Sequence, residues 1–314
     1  MNSVYLALEI GATIFFLGAL VAAARRGRLP ALELVSAAAF GVLLEEGDQL
    51  IFQTYHYNPA WTLVIDRAPL VIGLTWALII AGAMRLTDAL GVRRRYAPVV
   101  DSVLAILLDL SFDAIAIRMG LWTWRGIAPT DGWFGVPWGN FYAWLFVTVG
   151  FSLVTRWLRD EARGRPRLEW LQLLVPLPAF ALLLVGLMPF IAVKPLIDDA
   201  PGGGGVPFLV TLAGFALVSA WAIFGPDRAQ PNGERMAILD LRLAGLTRVA
   251  IHCYFLGALL VMGLATQLPV LLGVALLLLA AEVPLSWLVA RRHEHRQRSP
   301  AARGVELGSA EPAS

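Results

Sequence analysis

Asp109 and Asp113 stand four residues apart inside an apolar run, and Glu45, Glu46 and Asp48 crowd a second such run. A spacing of four puts Asp109 and Asp113 on one face of a helix. Glu45 and Gln49 share a face in the same way, and Asp48 is three residues from Glu45. Two carboxyls brought together in a low dielectric do not both ionise easily, so one keeps a proton near neutral pH. A protonated carboxyl beside an ionised one is the equipment of a general acid with a supporting base. Asn140 opens a third run among aromatic residues, and a buried amide there needs hydrogen-bond partners. The competing reading is structural: polar groups inside a membrane also hold helices together, with Arg67 or Arg118 neutralising one acid.

The runs that carry these residues are too apolar for a soluble protein. The 314 residues are 58% hydrophobic and 15% charged, with a mean hydropathy of +0.68, whereas soluble domains are about one quarter charged. The apolar residues arrive in continuous blocks of about 20, the length that crosses ~30 Å of hydrocarbon. Unpaired backbone groups are costly in lipid, and the blocks do not alternate, so they are read as helices rather than barrel strands. The expected fold is an all-α, polytopic transmembrane helix bundle of about nine helices. Their expected spans are 3–24, 31–53, 67–90, 97–118, 135–158, 168–193, 205–225, 242–264 and 267–290. Pro30, Pro59, Pro98, Pro129 and the stretch Pro201 to Gly205 break the blocks. The weakest break, Thr266 to Pro269, leaves eight helices possible. Residues 1–290 then form one transmembrane domain, with the polar residues in 1–158, additional helices over 159–290, and a disordered cytoplasmic tail over 291–314. The first block has no basic region before it and arginines after it, so it is read as a retained helix rather than a signal peptide.

Basic residues orient the bundle. One alternating set of loops holds Arg25, Arg26 and Arg28; Arg93 to Arg95; Arg156, Arg159, Arg163, Arg165 and Arg167; Arg228, Arg235 and Arg242; and Arg291, Arg292, Arg296 and Arg298. The other set holds only Arg67, Arg118, Arg125 and Lys194. The positive-inside rule therefore predicts an outside N-terminus and a cytoplasmic C-terminus in a bacterial-type cell (inner) membrane. At ~1.5 Å per residue, Glu45, Asp109 and Asp113 lie roughly 21, 18 and 24 Å above the basic side, and Asn140 about 7 Å below the opposite one. The spacing thus predicts that all four gather at one depth.

Little else points to chemistry. Glu9 and Glu282 are single acids, each read as an interhelical contact, and His252, four residues from Arg248, as a packed histidine. His56 belongs to a loop, and His293 and His295 to the tail without ligand partners. The single cysteine, Cys253, excludes an internal disulfide and any cysteine-based metal cluster. No HExxH, GxSxG, P-loop or dinucleotide-binding pattern is present. No metal, no cofactor and no nucleic acid is expected; the lipid bilayer is the expected surrounding, and the oligomeric state is open.

The 11 tryptophans lie largely near block ends, as an interfacial belt requires, and that reading suits Trp122, Trp124 and Trp133. Aromatic faces also stabilise carbocations and suit a flat polyene. The pattern Asp109-x-x-x-Asp113, then Gly120-Leu121-Trp122-x-Trp124, then Phe134-Gly135-Val136-Pro137-x-x-Asn140-Phe141-x-x-Trp144 resembles the membrane carotenoid-biosynthesis family that includes the carotenoid 1,2-hydratases and bisanhydrobacterioruberin hydratases. The likeness is concentrated over 97–150. It reaches back to Glu45 or Glu46 with Tyr55-x-Tyr57, and to Pro69-Leu70 with Trp76. Asp48 to Gln53 replaces a segment rich in Gly, Pro and Phe, and Ala114 stands where proline usually follows the aspartate pair, which marks a divergent member.

The resemblance implies cofactor-free addition of water to a terminal double bond of a lipophilic, carotenoid-like isoprenoid. Asp109 or Asp113 would be the acid, Glu45 or Glu46 its partner, and Asn140 would position water or a carboxyl. Asp48, Tyr55, Tyr57, Trp76, Trp122, Trp124, Phe134, Trp138, Phe141 and Trp144 are the candidate substrate-binding residues. The same acids without water access would cyclise or isomerise the alkene. A proton-coupled transporter also uses intramembrane acids, and a non-catalytic lipid-binding subunit is the remaining class.

Overall fold

The computed structural model describes residues 3–197, 204–225 and 238–298. Nine long helices occur among the described residues: α1 (Ser3–Arg26), α2 (Arg28–Gly47), α3 (Leu70–Leu90), α4 (Ala97–Arg118), α5 (Trp138–Glu161), α6 (Pro176–Ile197), α7 (Gly205–Phe224), α8 (Ile238–Val261) and α9 (Pro269–Arg298). Seven are long and apolar enough to cross a membrane. The other two, α2 and α4, are 20 and 22 residues long and carry the acids Glu45, Glu46, Asp109 and Asp113. The protein is an all-α polytopic bundle, and the α8–α9 break holds, with Gly263 at φ 69° in the turn. Of the expected breaks, Pro201 to Gly203 lie outside the described residues, as do Arg228, Arg235 and 299–314 of the expected tail.

Several boundaries differ from expectation for physical reasons. The 31–53 block begins at Arg28 and ends its α-helix at Gly47; Asp48–Phe52 form a π-helical turn. That turn breaks the 3.6-residue period, so Gln49 does not join Glu45 but donates to the Arg67 carbonyl (3.3 Å). The 168–193 block divides at Val175: Leu168–Leu174 is a 3-10 segment, and α6 begins at Pro176, where proline suits a first turn because its missing N–H costs nothing. At the C-terminal end α9 runs to Arg298, so 291–298 extend a helix rather than open the tail. Four short strands also appear: β1 (Tyr55–Tyr57), β2 (Val64–Ile65), β3 (Ala68–Pro69) and β4 (Trp122–Trp124). β1 pairs antiparallel with β4, and β2 with β3. Strands of two or three residues leave too little alternation to be seen in a sequence.

Small residues decide how closely the central helices approach. Gly41 of α2 faces Gly73 of α3: a Cβ on Gly41 would lie 2.6 Å from Trp76 Cβ, and one on Gly73 would lie 2.6 Å from Val42 Cγ2. This contact brings Trp76 against Glu45 (Nε1 to Oε1, 2.6 Å). Gly73→Val is expected to cost about 1–3 kcal/mol through overpacking and to lower activity by moving Trp76. Unfolding in detergent micelles against wild type measures the first effect; unchanged stability would mean that the crossing tolerates bulk.

The two ends of the bundle differ. The end formed by the C-terminus of α3 and the N-terminus of α4 carries a charge network. Arg156 of α5 binds Asp101 (Nη2 to Oδ2, 2.9 Å) and Asp88, and Arg159 binds Glu33 (2.8 Å) and Asp88 (3.1 Å). The opposite end is closed by the β1–β4 ribbon, the β2–β3 pair and the loop from Arg125 to Pro137. Helices α3 and α5 are mostly buried, whereas α6, α7 and α9 bury only narrow stripes and expose aliphatic residues such as Val210 and Leu217, as lipid-facing helices do.

Candidate active site

Beneath the β1–β4 ribbon lies a cavity of about 990 Å³, at the upper end of small-molecule sites. Its walls come from α1 through α6, the ribbon and α8. The π turn starts the construction. Gln53 ends it in the left-handed region at φ 54°, and both Asp48 carboxylate oxygens accept from Thr54 Oγ1 (2.8 Å each). The chain leaves as β1, paired Tyr55 to Trp124, His56 to Thr123 and Tyr57 to Trp122. Strand alternation then puts Tyr55, Tyr57, Trp122 and Trp124 on the cavity face and leaves His56 exposed.

Glu45 accepts hydrogen bonds from the Tyr55 and Tyr57 hydroxyls and from Trp76 Nε1. Burial, and then the Glu45 carboxylate itself, holds both ribbon phenols well above the usual tyrosine range, so they remain donors. Asp113 accepts from Asn140 Nδ2 (2.7 Å) and Trp122 Nε1 (3.0 Å). Asp109 Oδ2 shares the same Asn140 amide at 3.2 Å, and Asp109 Oδ1 is buried without a partner among the described residues. Three of the carboxyls that line the cavity thus receive unequal support: three donors on Glu45, two on Asp113, and one long bond on Asp109. Among the described residues no arginine forms an ion pair with these three carboxyls. Arg118 donates to the Ala114 and Phe134 carbonyls, and Arg67 reaches Asp66 and the Gln49 carbonyl.

Of the candidate residues, the structure brings Glu45, Asp48, Tyr55, Tyr57, Trp76, Asp109, Asp113, Trp122, Trp124, Trp138, Asn140 and Trp144 to the cavity wall. It does not bring Glu46, Phe134 or Phe141 there. Glu46 turns to the β2–β3 pair and accepts from the Arg67 and Ala68 amides (2.8 and 2.6 Å), because its helix position points away from its neighbour's. Phe134 sits at φ 51° in the loop and packs on Trp133. Phe141 is fully buried between Trp138 and Phe208. Trp122 and Trp124, which an interfacial belt would also explain, face the cavity.

Other wall residues carry no mark in the sequence. Trp61, Phe112, Tyr254 and Phe255 line the cavity but stand in apolar stretches like any core aromatic. Conversely, Glu282 is the interhelical contact expected of it, paired to Arg248 at 2.7 Å. His252 is packed as expected, with Nδ1 2.9 Å from Ser111 Oγ.

In Asn140→Leu, both aspartates lose their shared donor. Hydrogen bonds to charged groups are worth about 1.5–3 kcal/mol, so activity is expected to fall about 10- to 100-fold. Comparing turnover of the folded variant with wild type checks this, and unchanged turnover would reduce the amide to packing.

The family described as carotenoid biosynthesis protein matches the chain over residues 2–197, more than half its length. No curated protein and no solved structure matches it. The matched span contains every carboxyl of the cavity; α7, α8 and α9 lie outside it.

Proposed function

The chain belongs to the carotenoid biosynthesis protein family; it is an integral membrane protein with a role in that biosynthesis, and from this premise we propose that it hydrates a terminal double bond of an acyclic, carotenoid-like isoprenoid. The observation that carries the reading is the unequal support of three carboxyls in one aromatic-walled cavity. A carboxylate that accepts several hydrogen bonds is stabilised as the anion, and one left without donors holds its proton. Glu45 and Asp113 fit the first description, and Asp109 Oδ1 the second.

The reaction then runs as follows. Asp109 delivers its proton to the less substituted carbon of the alkene, breaking its O–H bond and forming C–H. The tertiary cation forms among Trp76, Trp144, Tyr57 and Trp122, whose faces attract positive charge. Water adds to the cation, forming C–O, and its surplus proton passes to an ionised carboxylate. Glu45, ringed by Tyr55, Tyr57 and Trp76, is the acceptor in this scheme. Asn140, bonded to both aspartates, relays the charge change between them and holds their geometry. Proton exchange among the three carboxyls restores Asp109. The sum is alkene plus water to tertiary alcohol, without redox change.

In this reading the enzyme works in the cell membrane of a bacterial-type cell, with the site at the end opposite the arginine-rich loops. Expression in a lycopene-producing bacterium, with pigment analysis, tests the assignment. A hydroxylated acyclic product is the expected result. A ring-closed product would reassign the same acids to a cyclase, and unchanged pigment would exclude a carotenoid substrate.

A further inference from the structure

Four rings on the cavity wall run in unbroken contact from the carboxylates to α8. Trp76, which donates to Glu45, packs on Trp144 at 4.1 Å between centroids; Trp144 meets Phe112 edge-on at 5.9 Å; Phe112 stacks on Phe255 at 4.9 Å and 22°. They come from four different helices, α3, α5, α4 and α8. The last ring lies outside the 2–197 span that matches the family.

Its placement is tightly determined. Arg248 of α8 is fully buried, paired with Glu282 and donating to the Leu104 carbonyl of α4 (2.8 Å). Ser111 Oγ lies 2.8 Å from the Leu108 carbonyl and 2.9 Å from His252 Nδ1, and the latter hydrogen bond ties α8 to α4 a turn further on. Tyr254 donates to the Val4 carbonyl of α1 (3.2 Å). Polar bonds of this kind are scarce between membrane helices, and three on one helix fix its rotation. They present Phe255 to the cavity and not to lipid.

We propose that Phe255 is a specificity-determining residue, the far end of an aromatic wall along which the polyene chain lies when its reacting end is at Glu45 and Asp109. The proposal rests on the hydration reading for which end reacts, but not for the binding it describes. A flat conjugated chain has large dispersion contact with successive ring faces. A long chain reaches Phe255, and a short one ends before it. A residue outside the span that matches the family thereby sets the length of substrate that fits.

The test uses the full chain in detergent micelles, with tryptophan-fluorescence quenching as a binding readout that needs no turnover. The probes are lycopene and geraniol, whose two isoprene units are too short to run from Trp76 to Phe255. Phe255→Trp, which adds bulk at the end of the wall, is expected to weaken lycopene binding about tenfold and leave geraniol binding unchanged. Phe255→Leu, close in volume but without a ring, is expected to weaken lycopene binding less and preserve the fold. Equal weakening of both probes, or no change for lycopene, overturns the proposal. If wild type binds lycopene with this pattern yet forms no alcohol, the hydration reading fails and the wall stands.

Discussion

Asp109→Asn is expected to lower turnover by about 10²- to 10⁴-fold, the usual contribution of a positioned general acid. The substitution keeps the shape of the side chain and its contact with Asn140, so the cavity should survive. What it removes, in the proposed mechanism, is the proton on Oδ1, the oxygen that lies buried without a partner among the described residues. Asp113→Asn should also lower activity, for a different reason: Asn140 and Trp122 would then aim donors at a neutral amide. The two variants separate on binding. Substrate affinity should hold in Asp109→Asn, because only the transition state feels the missing proton. Substantial turnover by purified Asp109→Asn would remove this residue as the acid and leave Asp113 to be examined.

The largest expected effect on stability lies on the far side of the cavity. Arg248→Met should destabilise the protein by about 3–5 kcal/mol, because it leaves a buried carboxylate without its counter-charge. Among the described residues Glu282 keeps only Ser286 Oγ (2.9 Å) as a donor once the guanidinium is gone. The double variant Arg248→Met/Glu282→Leu should recover most of the loss, since replacing both members of a buried pair by apolar residues is often neutral. Unfolding of the two variants in mixed micelles measures this, and similar losses in both would show that the pair's other bonds, not its charges, carry the stability. Recovery of stability without recovery of lycopene binding would further tie Arg248 to the setting of α8.

How far the sequence speaks depends on the range of the interaction that carries each feature. The long apolar blocks define a helical membrane bundle because lipid leaves the backbone no alternative to internal hydrogen bonding. The (i, i+4) spacing of Asp109 and Asp113 is a property of one helix and survives in the structure, where Asn140 bridges the pair. The same reasoning does not separate Glu45 from Glu46. Adjacent residues on a helix point about 100° apart, and only the position of α3 shows that Glu45 meets Trp76 while Glu46 meets the Arg67 and Ala68 amides.

The π turn after Gly47 and the two-residue and three-residue strands left no periodic trace, yet they deliver Tyr55 and Tyr57 to Glu45. Phe141 and Phe134 shared a motif with true wall residues but turned into packing, because a motif fixes neighbours along the chain and not the direction each ring faces. Phe112 and Phe255 are the opposite case: two core-like aromatics become one wall when α4 meets α8.

The sequence by itself determined that this is a helical membrane protein with acids set inside its apolar runs. Composition and local spacing are enough for that, since both act within a single helix. Only the tertiary structure decided which acids share a cavity, how many donors each receives, and that α8 completes the wall. Those properties arise where side chains from separate helices meet, and the chain's linear order holds no record of which faces will touch.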